Sequence, residues 1–381
     1  MSHFNPQTLP VKVAQVTAYP LRAHVRQGPE SSLGSMPVRQ GCLVRMEDCD
    51  GAYGWGEIWC NFPPHAAESR AWLVRDIIAP CLQGQIFQDW RELRPALEQK
   101  LLRMMIHTGE SGAFAQCFAG IDMAVADLCA RRVNMGMSQF LGGSGTTAVG
   151  TYASTPSSGN LELQCGEIKN AGHTAIKLKI GYEPARDIAA IKTARESLGT
   201  EFSIMVDANQ AWNYSLAKTQ ISALEPFRID FIEEPLLANE DLSIWKRLSE
   251  HSSIPLAAGE NISSQARFEN HINDHSLHVV QPDVAKWGGI SGALNVARYA
   301  HAREAQCYLH FMGTGLGMAA SLHVLAGLGG DGRVELDVNE NPLRTGLGEI
   351  NLAVSNGRLS VPGGTGFGFE PDSSELVRFS I

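Results

Sequence analysis

Ala175-Ile-Lys-Leu-Lys-Ile180 is a short apolar run broken by two lysines, and its reading decides the fold. Similar runs recur at Val149–Ala153, Ser203–Val206, Ile229–Ile232, Leu256–Ala258, Leu277–Val280, Ala305–Leu309 and Arg333–Leu336, each followed by a helix-like stretch. A spacing of roughly 25 residues is the rhythm of βα units closing into a parallel α/β barrel of about eight strands. Within the first run, Ile176, Leu178 and Ile180 alternate with Lys177 and Lys179, so the apolar set forms barrel wall and both lysines point inward.

Before Leu141-Gly-Gly-Ser-Gly145 the texture is different. Val11–Leu21, Gly41–Met46 and Ala52–Trp59 read as strands, the last two joined by a turn at Asp48-Cys-Asp-Gly51. The connection over residues 22 to 40, with Gly28, Pro29, Gly34 and Pro37, is long enough to be a functional lid. Arg22, His24, Arg26 and Arg39, with the segment Trp59 to Asn61, are its candidates for substrate binding. From Ala66 to Phe140 the pattern is helical: Trp72, Leu73, Ile77 and Ile78 share one face, and Phe114, Phe118, Ile121, Val125 and Leu128 another. The expected organisation is an N-terminal α+β capping domain over 1–140, a barrel over 141–345, and a C-terminal segment over 346–381 that returns to the cap.

With 381 residues, 44% hydrophobic and 19% charged, the chain has the composition of a folded protein able to bury a large core. A formal charge of −9 argues against a nucleic-acid partner. The eight cysteines form no CxxC pair and read as reduced thiols. No signal peptide is expected, and no run is expected to reach the ~20 apolar residues that cross a bilayer. These features point to a cytoplasmic protein without a membrane partner.

The strand ends carry the chemistry. Lys177 and Lys179, Asp207 with Asn209, Glu233, Glu260, Asp283, His310 and Glu335 all fall where a barrel gathers its active-site residues. Asp207, Glu233 and Glu260 close three consecutive strands and would repel one another unless a cation neutralised them. All-oxygen ligands favour Mg2+ or Mn2+ over zinc. Glu234 competes with Glu233, but strand alternation sends the two to opposite faces. Two neighbouring ammonium groups beside a divalent cation depress each other's proton affinity, which brings a neutral lysine base within reach. Asp283 beside His310 would orient a second acid/base. Glu335, as a protonated carboxyl, would donate a hydrogen bond to developing negative charge. Gly313, Gly315 and Gly317 imitate a phosphate loop but lack the context of one.

Lys177-Leu-Lys179, Val206-Asp-Ala-Asn209, Ile232-Glu-Glu-Pro235, Ala258-Gly-Glu-Asn261, Gln281-Pro-Asp-Val-Ala-Lys-Trp-Gly-Gly289 and His310, in that order, resemble the enolase superfamily, and more narrowly its mandelate racemase subgroup. The resemblance implies a modified TIM barrel, (β/α)7β, with an N-terminal α+β cap. It implies Mg2+ on Asp207, Glu233 and Glu260, and Lys179 and the Asp283–His310 pair as bases. Lys177 and Asn209 would meet the substrate carboxylate, and Glu335 would be the electrophile. Lys286 lies in the sixth-strand motif, where the muconate-cycloisomerase subgroup keeps a basic lysine; the Asp283–His310 pair favours the racemase-type site. A Lys or His base with one or two Mg2+ ions is the superfamily's general pattern.

The reaction that follows is removal of the proton next to the carboxylate of a small-molecule substrate. Loss of a neighbouring hydroxyl would make the protein a sugar-acid dehydratase; return of the proton would make it a racemase or epimerase. A non-catalytic member of the fold is a third reading. The resemblance also implies a homo-oligomer, with an octamer as one candidate.

Overall fold

In the computed structural model, which describes residues 9–26, 28–31, 34–154, 156 and 159–381, the chain opens with an antiparallel sheet. Strands β1 (Val11–His24), β2 (Val38–Asp48), β3 (Tyr53–Ile58) and β4 (Ile86–Phe87) lie in the order β3-β2-β1-β4. The β1–β2 ladder pairs Arg22 with Gln40 and His24 with Val38, so the lid is shorter than the 22–40 stretch expected. On the first flank Leu21 and Ala23 are buried and alternate with Arg22 and His24, so the strand runs on past Leu21; the second flank buries Arg39 and Gln40 and shows no such alternation. Within the remaining connection Glu30–Ser31 pairs with Gly34–Ser35; Gln27, Ser32 and Leu33 lie outside the described residues.

The helix Ser111–Arg132 lies directly on β3. A Cβ on Gly54 would come within 2.2 Å of Leu128 N, and one on Gly56 within 1.9 Å of Gly120 O, so only glycine permits this approach. Contrary to the sequence expectation, this helix is long and apolar enough to cross a membrane, but it is buried as the core of the cap. Phe114, Phe118, Ile121, Val125 and Leu128 are buried as expected. Trp72 is not: a π-helical turn over Val74–Ile78 breaks the 3.6-residue phase, leaving Trp72 56% exposed while Ile78 is buried. All eight cysteines are unpaired.

The barrel strands are β5 (Ala148–Ser154), β6 (Ala175–Lys179), β7 (Ser203–Asp207), β8 (Ile232–Glu233), β9 (Leu256–Ala258), β10 (Val279–Val280), β11 (Gln306–Cys307) and β12 (Arg333–Asp337). Neighbours are parallel from β5 to β11; β12 pairs with β5, and a bridge between Leu309 and Val334 closes the ring. A helix follows each of the first seven strands. After β12 the next helix is the short Pro342–Thr345, which gives the (β/α)7β form. The chain then adds β13 (Arg358–Ser360) antiparallel to β5 and crosses to the cap. There Phe367 N–H donates to Asp127 at 2.8 Å, Arg131 pairs with Glu370 at 2.7 Å, and Ser380 bridges Leu21.

Inside the ring, Tyr152, Ala175, Met205, Phe231, Ala257, Val279 and Tyr308 form one small apolar cluster. One alternation step further along their strands the inward residues become Lys177, Asp207, Glu233 and His310. The apolar plug fills the floor of the barrel and the ionisable groups sit above it.

Candidate active site

Lys179, Asp207 and Glu233 are direct register neighbours on β6, β7 and β8, so their side chains stand in one row at the mouth. Lys177, one step deeper, is wholly buried and touches three acids: Glu233 at 2.6 Å, Glu335 at 3.0 Å and Asp207 at 3.7 Å. Lys179 hydrogen-bonds Asp207. Gln281 donates to Glu233 at 2.6 Å, and Ser154 holds Glu335. β6 and β11 are three strands apart one way round the ring and five the other, so Lys179 and His310 approach the mouth from across it. His310 Nδ1 lies 2.7 Å from Asp283 Oδ2, and its Nε2 stands 3.5 Å from Glu260 and 3.7 Å from Glu335. Asp283 is itself fixed by the Ala285 and Lys286 N–H groups, which both donate to Oδ1.

Electrostatics in this packed cluster follow from burial set against charge. For His310 burial favours the neutral ring, but Glu260, Glu335 and Asp283 override it and push the pKa up to about 9. Burial likewise works against the charge on Lys179, yet Asp207, Glu233 and Glu335 hold its proton, and its pKa is raised. The neutral lysine expected from the sequence is therefore not the form these groups favour by themselves. Glu335 departs from expectation too: burial is outweighed by Lys177, His310 and Lys179, its pKa is lowered, and it stands as a carboxylate. Burial, reinforced by Asp207, raises Glu233 to about 7, while Lys286 and His310 overcome burial to hold Glu260 low.

Among the described residues no three acidic, His or Cys side chains already stand grouped to hold an ion; lysines occupy the spaces, with Lys177 joining Asp207 to Glu233 and Lys286 holding Glu260 at 2.8 Å. The donor chemistry nevertheless fits a hard cation. Glu233 Oε1 and Asn209 Oδ1 are buried without a hydrogen-bond partner, and the set offers only oxygen. Asn209 takes a left-handed conformation, φ 44°, that lets its N–H donate to Asp207 Oδ1 at 2.8 Å. Glu234 does not follow strand alternation to the far face. The strand ends at Glu233, Glu234 has φ 41°, and Asn261 Nδ2 donates to both its carboxylate oxygens, at 3.0 and 2.9 Å.

Above the cluster is a cavity of about 170 Å3. Lys179, Asn209, Glu260 and His310 line it from the barrel, and Pro29, Glu30, Met36, Trp59, Asn61 and Phe62 from the cap. Arg22 and His24 do not line it. Arg22 is ion-paired with Glu68 at 2.6 Å, and with His24 it borders an adjoining cavity that shares Met36, Asn61 and Phe62. Arg39 is buried against Asp337 at 2.6 Å. The phosphate-like glycines are filled from within the protein: Glu57 of β3 accepts from Thr314 N and Gly317 N, both at 2.8 Å.

Two family models cover nearly all of this architecture. The mandelate racemase/muconate lactonizing enzyme N-terminal domain matches residues 15–142, and the enolase C-terminal domain-like model matches residues 160–375. The chain belongs to the mandelate racemase/muconate lactonizing enzyme family of the enolase superfamily. Among relatives, a D-galactarolactone cycloisomerase of Agrobacterium fabrum is 28% identical over 97% of this chain and 99% of its own. An arabinonate dehydratase of Saccharolobus solfataricus is 26% identical over 86% and 87%. A solved mandelate racemase/muconate lactonizing enzyme from Bordetella bronchiseptica RB50 superposes with a TM-score of 0.89 at 39% identity, covering 97% of this chain and 99% of that one. A racemase from Streptomyces coelicolor A3(2) solved with bound magnesium gives 0.85 at 27%, covering 97% and 100%. This family member is therefore an enzyme, a lyase or isomerase that acts at the proton beside a carboxylate.

Sequence reasoning missed the local company of these groups. Gln281 stands in a quoted motif, yet its bond to Glu233 became visible only once β8 and β10 were placed. Ser154 ends β5 opposite Lys177 in register, and alternation from Tyr152 is the signal that would have found it. The ring of Trp59, expected at a strand end and in the candidate substrate-binding segment, has its centre 4.4 Å from the Lys286 ammonium.

Proposed function

We propose that this enzyme uses Mg2+ held by Asp207, Glu233 and Glu260 to remove the proton alpha to a sugar-acid carboxylate, and then expels the neighbouring hydroxyl to give a 2-keto-3-deoxy acid. The observation that carries it is that Lys179 and His310, on strands across the ring, line one cavity together with Glu260. A bound Mg2+ would neutralise the three carboxylates and stabilise negative charge on the substrate carboxylate. Relieved of Asp207 and Glu233, Lys179 keeps only Glu335 to hold its proton against burial and Lys177, both of which lower its pKa, and this favours its acting as the base. His310, whose proton Asp283 and Glu335 still favour once Glu260 is engaged, gives it to the departing hydroxyl, which leaves as water. The enol that remains takes up a proton and becomes the 2-keto acid. Lys177, buried beside Glu335 and one step deeper than the cavity lining, places positive charge beneath the substrate carboxylate, with Asn209 at the cavity edge. The dehydratase named among the relatives supports this choice.

The same two acid/base groups favour a second reading, proton return to the opposite face by a racemase or epimerase. Incubating a panel of sugar acids and 2-hydroxy acids with the Mg2+-loaded enzyme in D2O separates the two. A 2-keto-3-deoxy product supports dehydration; deuterium incorporation without it overturns dehydration in favour of the second reading. In keeping with the charge of −9, we place the enzyme in the cytoplasm as a homo-oligomer working on small carboxylates alone, with sedimentation as the test of assembly.

A further inference from the structure

Lys286 is the cavity-lining cation that the proton-transfer scheme leaves unused. Its ammonium bonds Glu260 at 2.8 Å and Asn261 Oδ1 at 2.7 Å, and stands 4.4 Å from the centre of the Trp59 ring. The ring is held there from the cap: Trp59 N–H donates to Ala285 O at 3.0 Å, and Asn61 Nδ2 donates to Met312 O at 2.8 Å. Trp59 Nε1 is buried and has no acceptor.

We propose that Lys286, Trp59 and Asn61 form a subsite for a second carboxylate, so that the substrate is a small dicarboxylic hydroxy acid rather than a monocarboxylic one. The inference rests on the proton-abstraction reading and adds the substrate class to it. Three features carry it. The subsite offers the Lys286 ammonium, with the Trp59 ring and the Asn61 side chain beside it, and an ammonium, which can only donate, suits an acceptor-only carboxylate better than a hydroxyl that must also donate. When a cation engages Glu260, the hold of that carboxylate on Lys286 weakens while the Trp59 face stays in place, leaving the ammonium available to an anion. At about 170 Å3 the cavity suits a short diacid. Glu30, the acid of the lid, lines this cavity and also borders the neighbouring one with Lys179 and Tyr182.

The test compares matched six-carbon aldaric and aldonic acids with the Mg2+-loaded enzyme, following α-proton exchange in D2O, together with calorimetric titration of glutarate against butyrate. The diacids are expected to be favoured by about 10- to 100-fold in kcat/KM and in binding, the factor that one charge-assisted hydrogen bond confers. Lys286→Met should collapse both ratios towards one, chiefly through KM, and Lys286→Arg should restore most of them; thermal melts verify that both variants fold. Equal use of both acid classes by the unaltered enzyme, or ratios unmoved in Lys286→Met, overturns the subsite while leaving proton abstraction standing. Exchange on no acid at all overturns the proton-abstraction reading and the subsite with it.

Discussion

Glu57 of the capping sheet accepts two hydrogen bonds from Thr314 of the barrel, one from its N–H at 2.8 Å and one from its hydroxyl at 2.5 Å. A third, from Gly317 N–H at 2.8 Å, completes the carboxylate's seat at the N-terminus of the helix Gly315–Leu328. A Cβ on Gly313 or Gly317 would meet that carboxylate at 2.3 or 2.6 Å, so the glycines make room for the cap rather than for a phosphate. Trp59 and Asn61 continue from the same strand into the active-site wall. Docking of the cap and shaping of the cavity are thus one event.

Removing this carboxylate should loosen the domain contact. Glu57→Ala leaves three buried donors without an acceptor and is expected to cost about 3–5 kcal/mol, read from the shift of the urea midpoint. A loss under about 1 kcal/mol would show that the contact contributes little.

Metal binding should depend on the acids at the strand ends. Glu233→Gln and Asp207→Asn are each expected to weaken Mg2+ binding by calorimetry by about tenfold or more, the factor for loss of one charge-assisted contact. In the unaltered enzyme Mg2+ should raise the melting temperature, because it binds the folded state and relieves repulsion among buried carboxylates. Unchanged affinity in both variants would remove these residues from the ligand set.

Proton transfer should divide between two residues. Lys179→Ala and His310→Asn are each expected to slow turnover by about 10²- to 10⁴-fold, while melting temperatures change little. With Lys179 as base and His310 as acid, Lys179→Ala should lose both α-proton exchange and the 2-keto product, whereas His310→Asn should keep exchange and lose the product. Exchange surviving in Lys179→Ala and lost in His310→Asn would reverse the two roles.

Asp283 should act through His310. In the metal-free enzyme the His310 ring is expected to titrate near 9 by NMR. Asp283→Asn should lower that value, since it deletes one of the negative charges that sustain the imidazolium. A titration unmoved by the substitution would show that Glu260 and Glu335 alone set it.

His323 should make stability fall in acid. Its Nδ1 accepts from Ser138 N at 3.1 Å and its Nε2 donates to Phe367 O at 3.2 Å, a pattern that needs the neutral ring, and burial lowers its pKa to about 4. Between about 4 and 6.5 the unfolded chain binds more protons than the folded one, so this contribution is complete above 6.5 and is lost as pH falls towards 4. Its size is up to about 3 kcal/mol. His323→Gln, which cannot titrate, should show a flatter dependence of unfolding free energy across that window.

The order of the barrel strands and the inward aim of Lys177 and Lys179 could be read from the chain alone, because spacing and two-residue alternation are local properties. The same holds for the placing of Asp207, Glu233, Glu260, Asp283 and His310 at or just beyond strand ends, whereas Glu335, expected to end its strand, lies in the middle of β12. Which ammonium meets which carboxylate, and so which groups are charged, was decided only when the ring closed and burial set each pKa. The sequence likewise left the cap's role to tertiary structure. Arg22 and Arg39 look like substrate ligands in the chain, but partners 46 and 298 positions away, Glu68 and Asp337, engage them instead. Trp59 reaches Lys286 because a hydrogen bond between two domains sets it there, and no local pattern records contacts of that range.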